Sequence, residues 1–218
     1  MRTPVVVSLA VVACVSVAPA GCAVPEGPTA DEGAAHLGLV VGNTLTYASS
    51  NGTTETHELV NSDVQQLGAL SVGLTAKENG FAVEDHSLTF GVDVAEASIV
   101  RFFNCLTQCA VADAPISFVK WPLESGNNSE GEAAITETRG GEVVQTRVER
   151  HRTTVAALED VVVPAGTFPA HLVSWSRTTI DGTGVEVGTE TTVLQWAPEV
   201  GVVRYEYDDG TTLELSAR

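Results

Sequence analysis

Tight-turn pairs punctuate this chain between short runs of β-branched residues, and no other feature restricts its fold so strongly. Asn51-Gly52, Asn79-Gly80, Gly140-Gly141, Asp181-Gly182 and Asp209-Gly210 each lie between two such runs. These residue types tolerate positive φ, which tight hairpin turns require. Pro164-Ala165-Gly166-Thr167 is a further reversal, between Val161-Val163 and the run that Phe168 opens. Proline gives no N–H to a ladder, and glycine permits the change of direction. Pro164, Gly166 and Phe168 are therefore read as a structural turn, with Phe168 packed in the core beside Trp196 or Tyr205. No stretch has a long helical period with caps. The expected fold is all-β: a single strongly curved antiparallel sheet or open half-barrel, with at most one or two short helices. Val144, Thr146 and Val148 alternate with Gln145, Arg147 and Glu149. That alternation predicts a buried valine face and a wet charged face.

The N-terminus predicts an address. Arg2 precedes an apolar run from Val5 to Val17, too short to span a bilayer, which takes ~20 apolar residues. Two processing sites compete. Ala18-Pro19-Ala20 fits ordinary cleavage. Ala20-Gly21-Cys22 resembles the end of a bacterial lipobox, although Pro19 replaces the usual aliphatic residue. Cys14 is a poorer lipid acceptor, because it would leave a very short apolar region. The chain has four cysteines. Lipidation at Cys22 would leave Cys105 and Cys109 as an even pair, whereas cleavage after Ala20 would leave an odd thiol in an oxidising compartment. The expected organisation is a signal peptide over 1–21, a flexible tether over 22–36 and an antiparallel β domain over 37–218. The tether is rich in proline, glycine and acid. Ala23, not aspartate, follows Cys22. The expected location is thus the cell envelope after export, lipid-anchored to a membrane, the outer one in a Gram-negative cell.

The formal net charge of -17 repels polyanions, so nucleic acid is excluded as a partner. The five histidines have no metal-site spacing, and no nucleophile elbow or phosphate loop is present. No catalytic residue, metal or cofactor is read. Cys105 and Cys109, with three residues between them, are read as a small disulfide staple. Phe102, Phe118 and Trp121 flank it. They are read either as a loop folded under its own cluster or as a ligand-binding apolar groove at the mouth of a curved sheet.

Three segments, "VGNTLTY", "VVVPAGTF" and "WAPEVGVVRYEYDDGTTLEL", resemble a TapB-like family of bacterial exported proteins and lipoproteins of unknown function. Leu45 stands where that family has tryptophan, and Glu199 where it has glycine. The resemblance implies a curved antiparallel sheet similar to periplasmic lipoprotein-carrier half-barrels. It transfers no catalytic residue.

Three functions remain. The first is a cell-envelope lipoprotein acting as a non-catalytic binding or interaction module, for instance toward an envelope protein. The alternative is a periplasmic carrier or sensor of a hydrophobic small molecule in a concave apolar groove. The third is a hydrolase built on unrecognised carboxylates. A filled concave face selects the first, a hollow one the second, and converging carboxylates the third. Cys22→Ser is expected to abolish lipid incorporation and release the protein from membranes. Intact-mass analysis showing an unmodified N-terminus at Gly21 would exclude the anchor.

Overall fold

In chain order the elements are α1 (Ala30–His36), β1 (Thr44–Ser49), β2 (Thr54–Asn61), β3 (Leu70–Glu78), β4 (Phe81–Ala82), β5 (Leu88–Val92), β6 (Glu96–Phe102), β7 (Gln108–Lys120), β8 (Asn128–Arg139), β9 (Glu142–Val163), β10 (Gly166–Ile180), β11 (Glu186–Ala197), β12 (Gly201–Glu206) and β13 (Thr212–Ala217). The computed structural model describes residues 28–62, 69–83, 86–102 and 108–218, without the side chains of 101, 102 and 108. The expected signal peptide over 1–21, Cys22, Cys105 and the side chain of Phe102 lie outside what is described.

The turn chemistry explains the hairpins. Asn79 and Gly80 take φ of 51° and 83° between β3 and β4, and Gly140 and Gly141 take 59° and 87° between β8 and β9. Positive φ at both turn residues matches the twist of the flanking strands. Pro164 and Ala165 turn β9 into β10, with Val163 paired to Gly166.

The open half-barrel expected from the sequence is overturned. The strands succeed one another antiparallel in chain order, and the first pairs with the last. Tyr47 faces Leu215 and Ser49 faces Leu213 across the β1–β13 ladder. Twelve strands thus form a closed ring, with β4 a short addition to β3. An even number of strands lets the first and last run antiparallel, and closure removes both exposed edges. The two closing strands stand at opposite ends of the chain, so no local pattern announces their pairing. Bulges between Thr46 and Tyr47, His171 and Val173, and Gln195 and Trp196 supply curvature.

One end of the barrel is plugged. Residues 30–36 were expected to be part of a flexible tether, but they form α1. Thr29 caps the helix and Glu32 completes a capping box. Gly33 lies on Trp121, where an added Cβ would come 2.4 Å from the indole ring. Leu37 and Leu39 follow into the core, and Trp196 Nε1–H donates to the Leu37 carbonyl at 2.9 Å. The far part of the β9–β10 hairpin closes on β13 through Ala165 N–H, which donates to the Leu215 carbonyl at 2.9 Å. Beneath it lies a second apolar cluster that includes Tyr47, Val161, Val163, Val203 and Leu213. Phe168 is half-buried against this cluster, on which Tyr205 also packs, while Trp196 belongs to the other cluster.

The valine face predicted to be buried on β9 is also reversed. Val144 is 52% exposed, whereas Glu149, His151 and Thr153 are buried on the inward face. Their partners, described below, make that inversion affordable.

Gly166 sits at φ 139°, a region that side chains resist. Gly166→Val should therefore cost roughly 1–3 kcal/mol in urea unfolding. Phe168→Ala should cost less than the roughly 3–5 kcal/mol of a fully buried ring, because one side of it is wet. Unchanged midpoints in both variants would remove the structural role assigned to this turn.

Candidate functional site

Strand alternation sends every second side chain of the barrel strands inward, and the lumen is built from these positions. Near the plugged end they are apolar. Leu74, Leu88, Phe90, Phe118, Leu194 and Trp196 are among the residues around a cavity of about 80 Å³. Toward the opposite end, where the β8–β9, β10–β11 and β12–β13 turns lie, they are polar. Glu137, Arg147, Glu149, Arg177, Thr179 and Glu190 surround a wider vestibule of about 530 Å³. His86, Trp175, Thr192 and Tyr207 line both spaces. The two chambers therefore meet at an aromatic neck.

Two Glu-x-His pairs stand at this level, one on β2 and one on β9. Residues two apart in a strand share a face, so each pair points inward together. Glu55 and His57 are 3% and 1% exposed. His57 Nε2–H donates to Glu55 Oε1 at 2.6 Å. Its Nδ1 then accepts from the Tyr205 hydroxyl at 3.3 Å. His86 Nδ1–H donates to the same carboxylate at 2.9 Å. The His86 ring stacks on Tyr207 at 4.8 Å between centroids and 5° between planes.

On β9, Trp175 Nε1–H donates to His151 Nδ1 at 3.1 Å. An indole nitrogen can only donate, so the imidazole hydrogen stands on Nε2 and reaches Glu149 Oε2 at 3.0 Å. Arg147 Nε donates to Glu149 at 2.6 Å and its Nη1 to Glu137 at 3.1 Å. Arg177 pairs with Glu190 across the β10–β11 ladder.

Burial opposes ionisation of Glu55, but the bonds from His57 and His86 outweigh it and hold the carboxyl at about 2. Burial lowers His57 below the usual imidazole value, against the pull of Glu55. For Glu149, burial is again overcome, by His151, Arg177 and Arg147, and the carboxyl titrates below its ordinary range. Burial pushes the phenols of Tyr47, Tyr205 and Tyr207 upward. Among the described residues there is no cluster of three or more His, Cys, Asp or Glu placed to hold a metal ion.

The residues singled out by sequence divide. Phe118 stands in the apolar wall. Trp121 does not join it; its Nε1–H donates to the Asp93 carbonyl at 2.9 Å beneath α1. Pro164, Gly166 and Phe168 belong to the β9–β10 turn, away from the lumen. Cys109 is half-buried in β7, and the expected staple to Cys105 falls outside the described residues, as do the Phe102 side chain and Cys22. The polar lumen was missed altogether. Its signal was Glu-x-His, occurring at Glu55–His57 and Glu149–His151, a spacing that means one face only if the segment is a strand.

No family model matches the chain, and no curated protein matches it. Two solved structures share its fold. One, from Parabacteroides distasonis ATCC 8503, is described as a lipoprotein; it is 13% identical, covers 82% of this chain and 95% of its own, and has a TM-score of 0.55. The other, from Bacteroides fragilis NCTC 9343, is described as an exported protein with a YmcC-like fold; it is 11% identical, covers 81% of this chain and 95% of its own, and has a TM-score of 0.51. The likeness is to this barrel fold, and the narrower TapB-like assignment is not supported.

The Glu55 shift has a consequence with a definite sign. A carboxyl lowered on folding stabilises the protein above its ordinary value of 4.5, and that stability is lost as pH falls toward about 2. Glu55→Gln should lower stability at neutral pH and flatten the acid limb of a denaturation profile through this window. An unchanged limb would show that Glu55 is not held ionised by its partners.

Proposed function

We propose that this protein is an exported, non-catalytic barrel that carries or senses a hydrophobic small molecule in its lumen. One observation carries the reading: an apolar chamber opens through an aromatic neck into a polar vestibule. Ligand sites are concave, mostly apolar and furnished with a few oriented polar groups. The inner chamber alone is small, so a bound molecule fills it with an apolar segment and leaves its remainder in the vestibule. A module that binds only through its outer surface has no use for such a space.

The same geometry disfavours the hydrolase. Carboxylates do approach one another in the lumen, around Arg147. A general acid at neutral pH needs a raised carboxyl, however, and those of Glu55 and Glu149 are lowered. Both ring nitrogens of His57 and of His151 are committed to carboxylates, Trp175 and Tyr205.

In this reading, residues 1–21 direct export and Cys22 carries the lipid. The anchor joins the chain next to α1, which closes the barrel at the end away from the vestibule. The location is then the cell envelope, with the membrane as the partner of the anchor. Cys105 and Cys109 would fix the loop between β6 and β7.

The dye N-phenyl-1-naphthylamine should bind saturably with enhanced fluorescence. Leu74→Trp, which places a larger ring in the apolar chamber, should abolish that enhancement while far-ultraviolet circular dichroism is retained. Full dye binding by a folded Leu74→Trp variant would overturn the lumen as the binding site.

A further inference from the structure

We propose that the natural ligand is a cationic amphiphile, with an alkyl or aryl body in the apolar chamber and an ammonium or amidinium head in the vestibule. This rests on the lumen being the ligand site, and adds the sign of the head group.

The first support is the charge held inside the barrel. Glu137, Glu149 and Glu190 face the vestibule with Arg147 and Arg177, and Glu55 stands directly behind His86. Four carboxylates thus oppose two guanidinium groups. Charging His86 would leave the balance negative. His57 does not restore it, because burial favours its neutral form, and the Trp175 bond leaves His151 with a hydrogen on Nε2 alone. The rim carries both signs, with Arg139 at the end of β8 and two acids in the β12–β13 turn. Asp208 accepts from Thr191 N–H at 2.6 Å, and Asp209 in the same turn is lowered by its bonds to Thr211, with His86 near enough to contribute.

The second support is that both guanidinium groups are already committed. Arg147 is held between Glu137 and Glu149, and Arg177 by Glu190. An anionic head could reach the remaining guanidinium N–H groups only beside those carboxylates, whose like charge opposes it. A cation meets no such obstacle, because each carboxylate has further lone pairs to offer.

The third support is the neck. Trp175 and Tyr207 are at the junction of the two chambers, with Tyr205 stacked on Tyr207 from the inner one, where a head group attached to a buried body must pass. Aromatic faces attract cations, and more strongly where water is thinned. The chain's formal net charge of -17 also draws cations toward the mouth.

The test uses three amphiphiles with one tail, titrated calorimetrically into the protein below their micelle concentrations: octyltrimethylammonium, octyl sulfate and octyl glucoside. The ammonium compound should bind about tenfold or more tightly than the sulfate, with the glucoside between them. Glu190→Gln should narrow the ammonium-to-sulfate ratio several-fold, because one vestibule carboxylate is neutralised. Sulfate binding as tight as ammonium would overturn the proposal. Glucoside binding as tight as ammonium would overturn it too, while leaving the lumen as a ligand site. An unchanged ratio in Glu190→Gln would show that the preference does not arise in the vestibule. Failure of all three to bind would overturn the lumen reading itself.

Discussion

The ladder between β1 and β13 is the constraint on which everything else depends. Without it the same strands would form an open sheet with two edges, and the inward face would be a wet concavity. With it, Tyr47 and Leu215 face each other and the inward face becomes an interior. Tyr47 is fully buried, and its hydroxyl donates to the Val202 carbonyl at 2.7 Å. Closure joins segments from opposite ends of the chain, so its entropy cost is recovered only when the whole ring forms.

Once the ring is closed, charges within it must be paired. A carboxylate taken out of water without a partner would not stay ionised. Each inward glutamate in the vestibule has a guanidinium or imidazole against it, and the pairs cross strand boundaries: Arg147 of β9 with Glu137 of β8, Arg177 of β10 with Glu190 of β11. The polar face of the lumen is therefore also a set of register pins. A one-residue slip of β9 would turn Arg147, Glu149 and His151 outward together and bring Val144 and Val148 in.

The lumen is graded along its axis. Apolar packing under α1 and Trp121 fills one end, and ion pairs in wider space occupy the other. An amphiphile matches such a gradient, because each part of it finds its own solvent. Two proteins at 11% and 13% identity share the fold, and that likeness concerns the scaffold alone. The identity of a ligand has to be read from the inward residues of this chain.

Local residue chemistry set the strands and their turns. Asn79-Gly80 and Gly140-Gly141 accept positive φ and Pro164 ends a ladder, and these are local properties of the residues concerned. The sequence also carried the alternation of β9, but not which face of it is inside. Hydrophobicity alone assigned the valines to the core, and the tertiary structure placed Glu149 and His151 there. The reason is that the partners which make their burial tolerable, Arg177 and Trp175, come from another strand, and their proximity exists only in the folded ring. The same holds for Glu55, whose second imidazole, His86, is 31 residues away. Helix α1 was legible in Thr29 and Glu32, yet its composition resembled a tether, and only Trp121 and the barrel end gave it a place to pack. Closure, the two chambers and the charge inside them were decided by long-range pairing, because a sequence shows what each residue prefers and not which distant residue will satisfy it.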